Sequence, residues 1–287
     1  MMKNTMLRCL CGLMTVLLLT GCEKALVDGE DVSLDGNVIL NLSIYDQIPF
    51  STRSVQDIAL LSSRVNVAFF QDGTKVKTVS QKADDASFGK VGLTLAEGVY
   101  QVVVIAHNSS GSATITSPEK VTFPSNVVTE TFYYEGELTV TSAQQTYELQ
   151  LRRAVSMFRL ELTDELPAEA AKIRFYYTGG SSTFSPATGY GCVNSRQTVM
   201  MQIEDGQQVF EIYTFPHEDN DVLKITVTVY DINENILKET VLEGVPVTLD
   251  KITVYTTSLW GGGGGTSSSA GISMTAESDW AGTITYP

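Results

Sequence analysis

A two-residue hydrophobic alternation recurs along the chain and narrows its fold more than any other feature. In "ILNLSIY" (39–45), Leu40, Leu42 and Ile44 alternate with Asn41, Ser43 and Tyr45. A strand turns successive side chains to opposite faces, so this pattern belongs to a sheet with one buried face and one wet face. "LKITVTVYD" (223–231) repeats it, with Leu223, Ile225, Val227 and Val229 inward and Lys224, Thr226 and Thr228 outward. "TYELQL" (146–151) places Tyr147, Leu149 and Leu151 on one side. "VYQVVVIA" (99–106) has no polar alternation after Gln101, as expected of a central strand covered on both faces. Turn-forming pairs separate these runs: Asp72-Gly73, Glu97-Gly98, Gly179-Gly180, Asp205-Gly206 and Glu243-Gly244. Helical periodicity is scarce. "SVQDIALLSSR" (54–64) fits a short helix or a connecting segment, and "LPAEAAK" (166–172) fits one or two turns with Pro167 at the first helical position. Many short strands with few helices predict an all-β protein of two β-sandwiches, 37–150 and 151–260.

The ends of the chain follow other rules. The apolar run Leu10 to Thr20 is preceded by Lys3 and Arg8 and is much shorter than the roughly 20 residues that a membrane-spanning helix needs. It reads as a secretory signal peptide over residues 1–21. Leu19-Thr20-Gly21-Cys22 closes it and resembles the lipobox of bacterial lipoproteins, in which the cysteine is acylated and becomes the new N terminus; the competing reading is an ordinary signal peptide cut nearby. Several acyl chains together hold a protein on a membrane that it does not span. The acidic stretch 22–36 then serves as a solvated tether. At the other end, "GGGGGTSSSAG" (261–271) is a flexible linker by composition, yet residues 272–287 regain strand character around Ile272, Met274 and Trp280. Such a segment either returns as a hairpin to its own sheet or pairs with an adjacent subunit.

Charge and cysteine content exclude several functions. The whole chain has 19 Lys and Arg against 33 Asp and Glu, so removing Lys3 and Arg8 with the signal peptide takes the net charge from −14 to −16. Such a surface repels nucleic acid and anionic headgroups. Cys9 and Cys11 leave with the signal peptide and Cys22 carries lipid, which leaves Cys192 alone, without a disulfide partner and expected to be a small buried hydrophobe. The chain has no Gly-x-Ser-x-Gly elbow, no Gly-x-Gly-x-x-Gly and no phosphate loop, so no cofactor motif is apparent. His107 and His217 have no histidine or cysteine at metal-ligand spacing, and His107 is expected to be a hydrogen-bonded structural residue. The oxygens of "FPHEDNDV" (215–222) lack the alternate spacing and turn glycine of a calcium loop. Tyr133, Tyr134, Tyr176, Tyr177, Trp260 and Trp280 are candidate stacking platforms for a glycan, with one member of each adjacent pair facing each side of a strand. A glycan-binding lipoprotein of a polysaccharide uptake system is therefore the alternative to the reading that follows.

"LRRAVSMFRLEL" (151–162), "KIRFYYTGGSSTFSPATGYG" (172–191), "ILKETVLEGVPVTLDKITVYTTSLW" (236–260) and the close "ISMTAESDWAG" (272–282) together resemble the fimbrillin-like lipoproteins of type V pili. Within that superfamily the chain is most similar to the fimbrillin-A-associated anchor and minor-subunit family. The resemblance implies two tandem transthyretin-like or Ig-like β-sandwich domains, no enzymatic activity, and attachment to the outer membrane at the cell surface through the Cys22 lipid. It also implies assembly with other fimbrial subunits by β-strand addition, and a role in adhesion to host or bacterial surface ligands. Pilins of this kind are cut by an arginine-specific protease, which makes Arg53 in "PFSTRSVQ" the candidate cleavage site, whereas anchor subunits keep their lipid and remain uncut. The segment carrying Ile272, Met274 and Trp280 is the candidate for strand exchange.

Overall fold

The computed structural model describes residues 34–45, 55–260 and 271–275, with backbone alone at 55–56 and 271–275. The signal peptide, Cys22, Arg53 and Trp280 lie outside the described residues. The first strands are β1 (Val38–Tyr45), β2 (Val55–Asp57), β3 (Arg64–Gln71), β4 (Thr74–Lys82), β5 (Lys90–Leu93), β6 (Gly98–His107), β7 (Thr114–Ser117), β8 (Lys120–Thr122), β9 (Thr131–Val140) and β10 (Gln145–Arg153). There follow β11 (Ser156–Leu162), β12 (Ala170–Thr178), β13 (Thr183–Ser185), β14 (Tyr190–Gly191), β15 (Gln197–Gln202), β16 (Val209–Thr214), β17 (Asn220–Asp231), β18 (Ile236–Thr248), β19 (Ile252–Thr257) and β20 (Gly271–Thr275). The fold is almost entirely β, as the alternation predicts.

In the first half, β1 runs parallel to β10, with Val38 opposite Gln145 and Ile44 opposite Leu151. The strands β9, β6, β3 and β4 form an antiparallel ladder. That ladder joins β10 only through Arg152 and Arg153. Leu40, Leu42 and Ile44 are buried with Val67, Phe69, Val102, Val104, Leu149 and Leu151 in one core. The two-sided burial expected of β6 is present: Val102, Val104 and Ala106 enter this core, while Val103 and Ile105 enter a second one. In the second half, β11 lies between β16 and β19, and β12 and β18 flank β17. Their inward residues, among them Phe158, Phe175, Ile225 and Val227, form a third core.

The second core draws on both halves. Strands β7 and β8 share a sheet with β13 and β14, since Val121 pairs with Phe184. Phe184 packs 4.7 Å from the Tyr133 ring and 5.0 Å from Phe215, and Phe123 lies 5.2 Å from Phe215. Aromatic pairs at these separations add to simple area burial. Residues before and after Arg153 are thus joined by a sheet and a continuous apolar layer.

Both helical expectations shrink. Among the described residues of 54–64 the only helix is α1 (Ile58–Leu61), capped by Asp57, whose Oδ1 accepts from the Ala59 N–H at 2.9 Å. Only Ile58 of this turn is buried. Residues 166–172 form no helix. The Ala170 N–H closes a turn onto the Pro167 carbonyl, and β12 begins at Ala170. The reason is the run after it, where buried Ile173, Phe175 and Tyr177 impose a period of two and need the extended chain.

Candidate functional site

The strand predicted around Ile272 and Met274 is present as β20, paired antiparallel with β19 in the same chain. Ile272 stands opposite Tyr255 and Met274 opposite Thr253. β20 is the outermost strand of its sheet, and without it β19 would be the edge. An open edge presents unpaired N–H and C=O groups that another strand can satisfy.

The point where the glycine run leaves the fold is fixed by Asp164. Its carboxylate accepts from Ser258 Oγ at 2.9 Å, the Leu259 N–H at 3.1 Å and the Trp260 N–H at 2.5 Å. Burial works against the charge, but the bonds from Trp260, Ser258 and Leu259 outweigh it and hold the carboxyl below its usual range. Trp260 packs, half-buried, against the third core. Sequence reading did not single out Asp164, because its role depends on a segment about a third of the chain away.

The imidazoles and the thiol have structural surroundings. His107 is fully buried, and its Nδ1 accepts from the Ser109 N–H at 3.1 Å. Its Nε2 therefore donates to Asn66 Oδ1, 3.0 Å away. Burial, reinforced by Arg64, lowers its pKa to about 4, so the ring is neutral near pH 7. His217 has one ring nitrogen 2.8 Å from Asp221 and the other 3.1 Å from the Val193 carbonyl. Cys192 is exposed, contrary to the buried hydrophobe expected, because it flanks the short β13–β14 hairpin and has no core above it. Its Sγ lies 3.7 Å from the Thr183 carbonyl, and partial desolvation raises the thiol. These contacts do not form a Cys–His dyad. In the acidic loop Asp219 accepts from the Tyr190 hydroxyl at 2.6 Å, Asp221 caps His217, and Asn220 accepts from Thr248. Among the described residues no group of His, Cys, Asp and Glu is arranged to hold a metal.

The aromatic pairs divide across their strands as alternation requires. Tyr177 is fully buried and Tyr176 is 37% exposed. Tyr133 enters the second core, while Tyr134 packs against the first. The Arg152 guanidinium stacks 4.7 Å over the Tyr133 ring. Among the described residues no helix is long and apolar enough to cross a membrane.

These features define a class: a β-sandwich protein with β20 at the edge of its sheet. Among solved structures, a candidate adhesin from Bacteroides ovatus shares the fold, with a TM-score of 0.51 and 15% identity over 82% of this chain and 91% of that one. The fimbrial anchor protein Mfa2 from Porphyromonas gingivalis matches with a TM-score of 0.42 and 12% identity, over 77% of this chain and 90% of that one. A fimbrial assembly protein from Parabacteroides distasonis matches at 0.44 and 11%, over 87% and 98%. No curated protein sequence matches the chain significantly. The chain belongs to the family of fimbrillin-A associated anchor proteins Mfa1 and Mfa2, whose family model matches residues 30–281.

Proposed function

We propose that this protein is a non-enzymatic surface lipoprotein that serves as the anchor or a minor subunit of a fimbrium, held to the outer membrane by lipid on Cys22 and left uncut at Arg53. The family match over residues 30–281 carries this reading. The lipobox supplies the attachment, and acyl chains are needed because a mature chain that loses Lys3 and Arg8, and so has 17 Lys and Arg against 33 Asp and Glu (net −16), is repelled by anionic headgroups. Two tandem sandwiches meeting near Gln150 to Arg153 form the body, and other fimbrial subunits join it by β-strand addition. The segment bearing Ile272, Met274 and Trp280 supplies the exchangeable strand, with β20 resting on β19 until a neighbour takes up the pairing. The same body adheres to host or bacterial surfaces.

Intact-mass analysis of the protein from its native membrane tests attachment: a triacylated Cys22 terminus is expected, and a soluble chain starting at Ser54 would overturn it. Deleting residues 261–287 tests the strand. The reading expects a folded monomer that no longer captures its neighbouring subunit, whereas unfolding of the truncated chain would assign β20 to its own sheet.

A further inference from the structure

A cavity of about 270 Å³ opens where β9 and β10 meet the loop after β13, and the proposed anchoring role makes no use of it. Tyr45, Tyr133 and Tyr190 line it together with Arg152, Thr188 and Leu249. Gly189 shapes one wall: its φ is +81°, and any Cβ there would strike the Tyr133 hydroxyl, so only glycine lets the loop close onto that ring.

The charges around the cavity are unevenly satisfied. Arg153 is buried and bonds both Asp250 and Glu130 at 2.9 Å, so the Asp250 carboxylate on the rim is already engaged. Asp219 accepts from the Tyr190 hydroxyl. Arg152, by contrast, is exposed, with its guanidinium carbon 4.7 Å from the centre of the Tyr133 ring, and among the described residues no carboxylate is within ion-pairing distance of it. Part of the guanidinium is engaged by the Tyr133 hydroxyl, and its remaining N–H groups can donate to a carboxylate.

We propose that this cavity binds an acidic sugar residue at the end of a glycan, with the sugar carboxylate on Arg152 and the pyranose ring against the partly exposed Tyr190. The volume suits one monosaccharide, being just under the roughly 300 Å³ at which pockets for larger small molecules begin. One uncompensated cation matches one carboxylate, and a phosphate or sulfate dianion would add charge beside Asp250. The Asp250 carboxylate and Thr188 Oγ1 are acceptors for sugar hydroxyls, and a tyrosine face packs against the C–H face of a sugar. The inference does not rest on the anchoring role, since a cleaved or unlipidated subunit would carry the same cavity.

Ligand-observed NMR on the full-length protein in detergent tests it, with N-acetylneuraminic acid and glucuronic acid as probes and glucose and acetate as controls. At least one acidic sugar should bind, and neither control should compete. Arg152→Gln should weaken binding about tenfold or more, as expected for loss of a charge-assisted pair, and Arg152→Lys should restore part of it. Leu249→Trp should block the cavity with every charge in place; a melting temperature unchanged in Arg152→Gln certifies the fold if the bulkier variant is disturbed. Failure of both acidic sugars to bind, competition by glucose or acetate, or undiminished binding in a folded Arg152→Gln would each overturn the proposal.

Discussion

Phe184→Ala should destabilise the entire body of the protein, although Phe184 belongs to a strand of three residues. Its side chain is fully buried between Tyr133 and Phe215. Removing the ring forfeits about 3 kcal/mol of transfer free energy. The lost edge-to-face contact with Tyr133 and tilted contact with Phe215 add about 1 kcal/mol together. The sum, about 4 kcal/mol, falls within the range for buried Phe→Ala changes. For a body of this size each kcal/mol shifts the midpoint by about 2–4 °C, so Tm should fall by about 8–16 °C. Because Phe184 lies in the core shared across Arg153, the loss should act on both halves together. Guanidinium unfolding followed by far-UV circular dichroism reports all strands, and tryptophan fluorescence in a Trp280→Phe background reports Trp260 in the third core. The two probes should shift together to lower denaturant. A dichroism curve that splits into two steps, with the Trp260 transition unmoved, would refute the shared core as the coupling element.

His107 gives a pH signature: its folded pKa of about 4 lies below the ordinary 6.5. The unfolded chain thus takes up a proton that the folded chain refuses, and stability should fall by about 3 kcal/mol as pH drops from 6.5 to 4. Urea midpoints across that window should show this loss in the native protein and a smaller one in His107→Gln. Asp164→Ala should loosen the seat of residues 258–260 by about 2 kcal/mol, because backbone donors lose a charged acceptor, and should red-shift Trp260 emission. Gly189→Ala should cost about 1–3 kcal/mol, from a positive φ and collision with the Tyr133 hydroxyl, read as a lower thermal midpoint than Gly206→Ala, whose site has open space.

The strands with a full period of alternation were legible because burial on one face leaves a local record. β1, β17 and β6 bury the residues the pattern indicates, but Thr228 of β17, read as facing outward, is fully buried too, its hydroxyl bonded to Arg174 and Glu239. The shared sheet left no such record, since β8 and β13 are three residues each and their pairing joins positions about 60 apart in the sequence. Cys192 misled for a related reason: a small apolar residue carries no sign of whether a core lies above it. The cavity was half visible. Tyr133 stood out as an aromatic platform, whereas Arg152 looked like one of two adjacent arginines, and only the fold sends Arg153 inward to Asp250 and leaves its neighbour in solvent.

The parallel pairing of β1 with β10 sets a timetable for the nascent chain. Val38 finds its partner at Gln145, and in the second half Met157 finds its partner at Ile252. A ribosome adding about 5–20 residues per second takes about 5–20 s to bring β10 to β1. Throughout that interval an apolar strand has half its hydrogen bonds unclaimed, a state open to mispairing with other chains. The delay then recurs between β11 and β19. A chain built this way depends on being shielded while it emerges, and β20 comes next after β19 to cover the backbone that would otherwise stay bare.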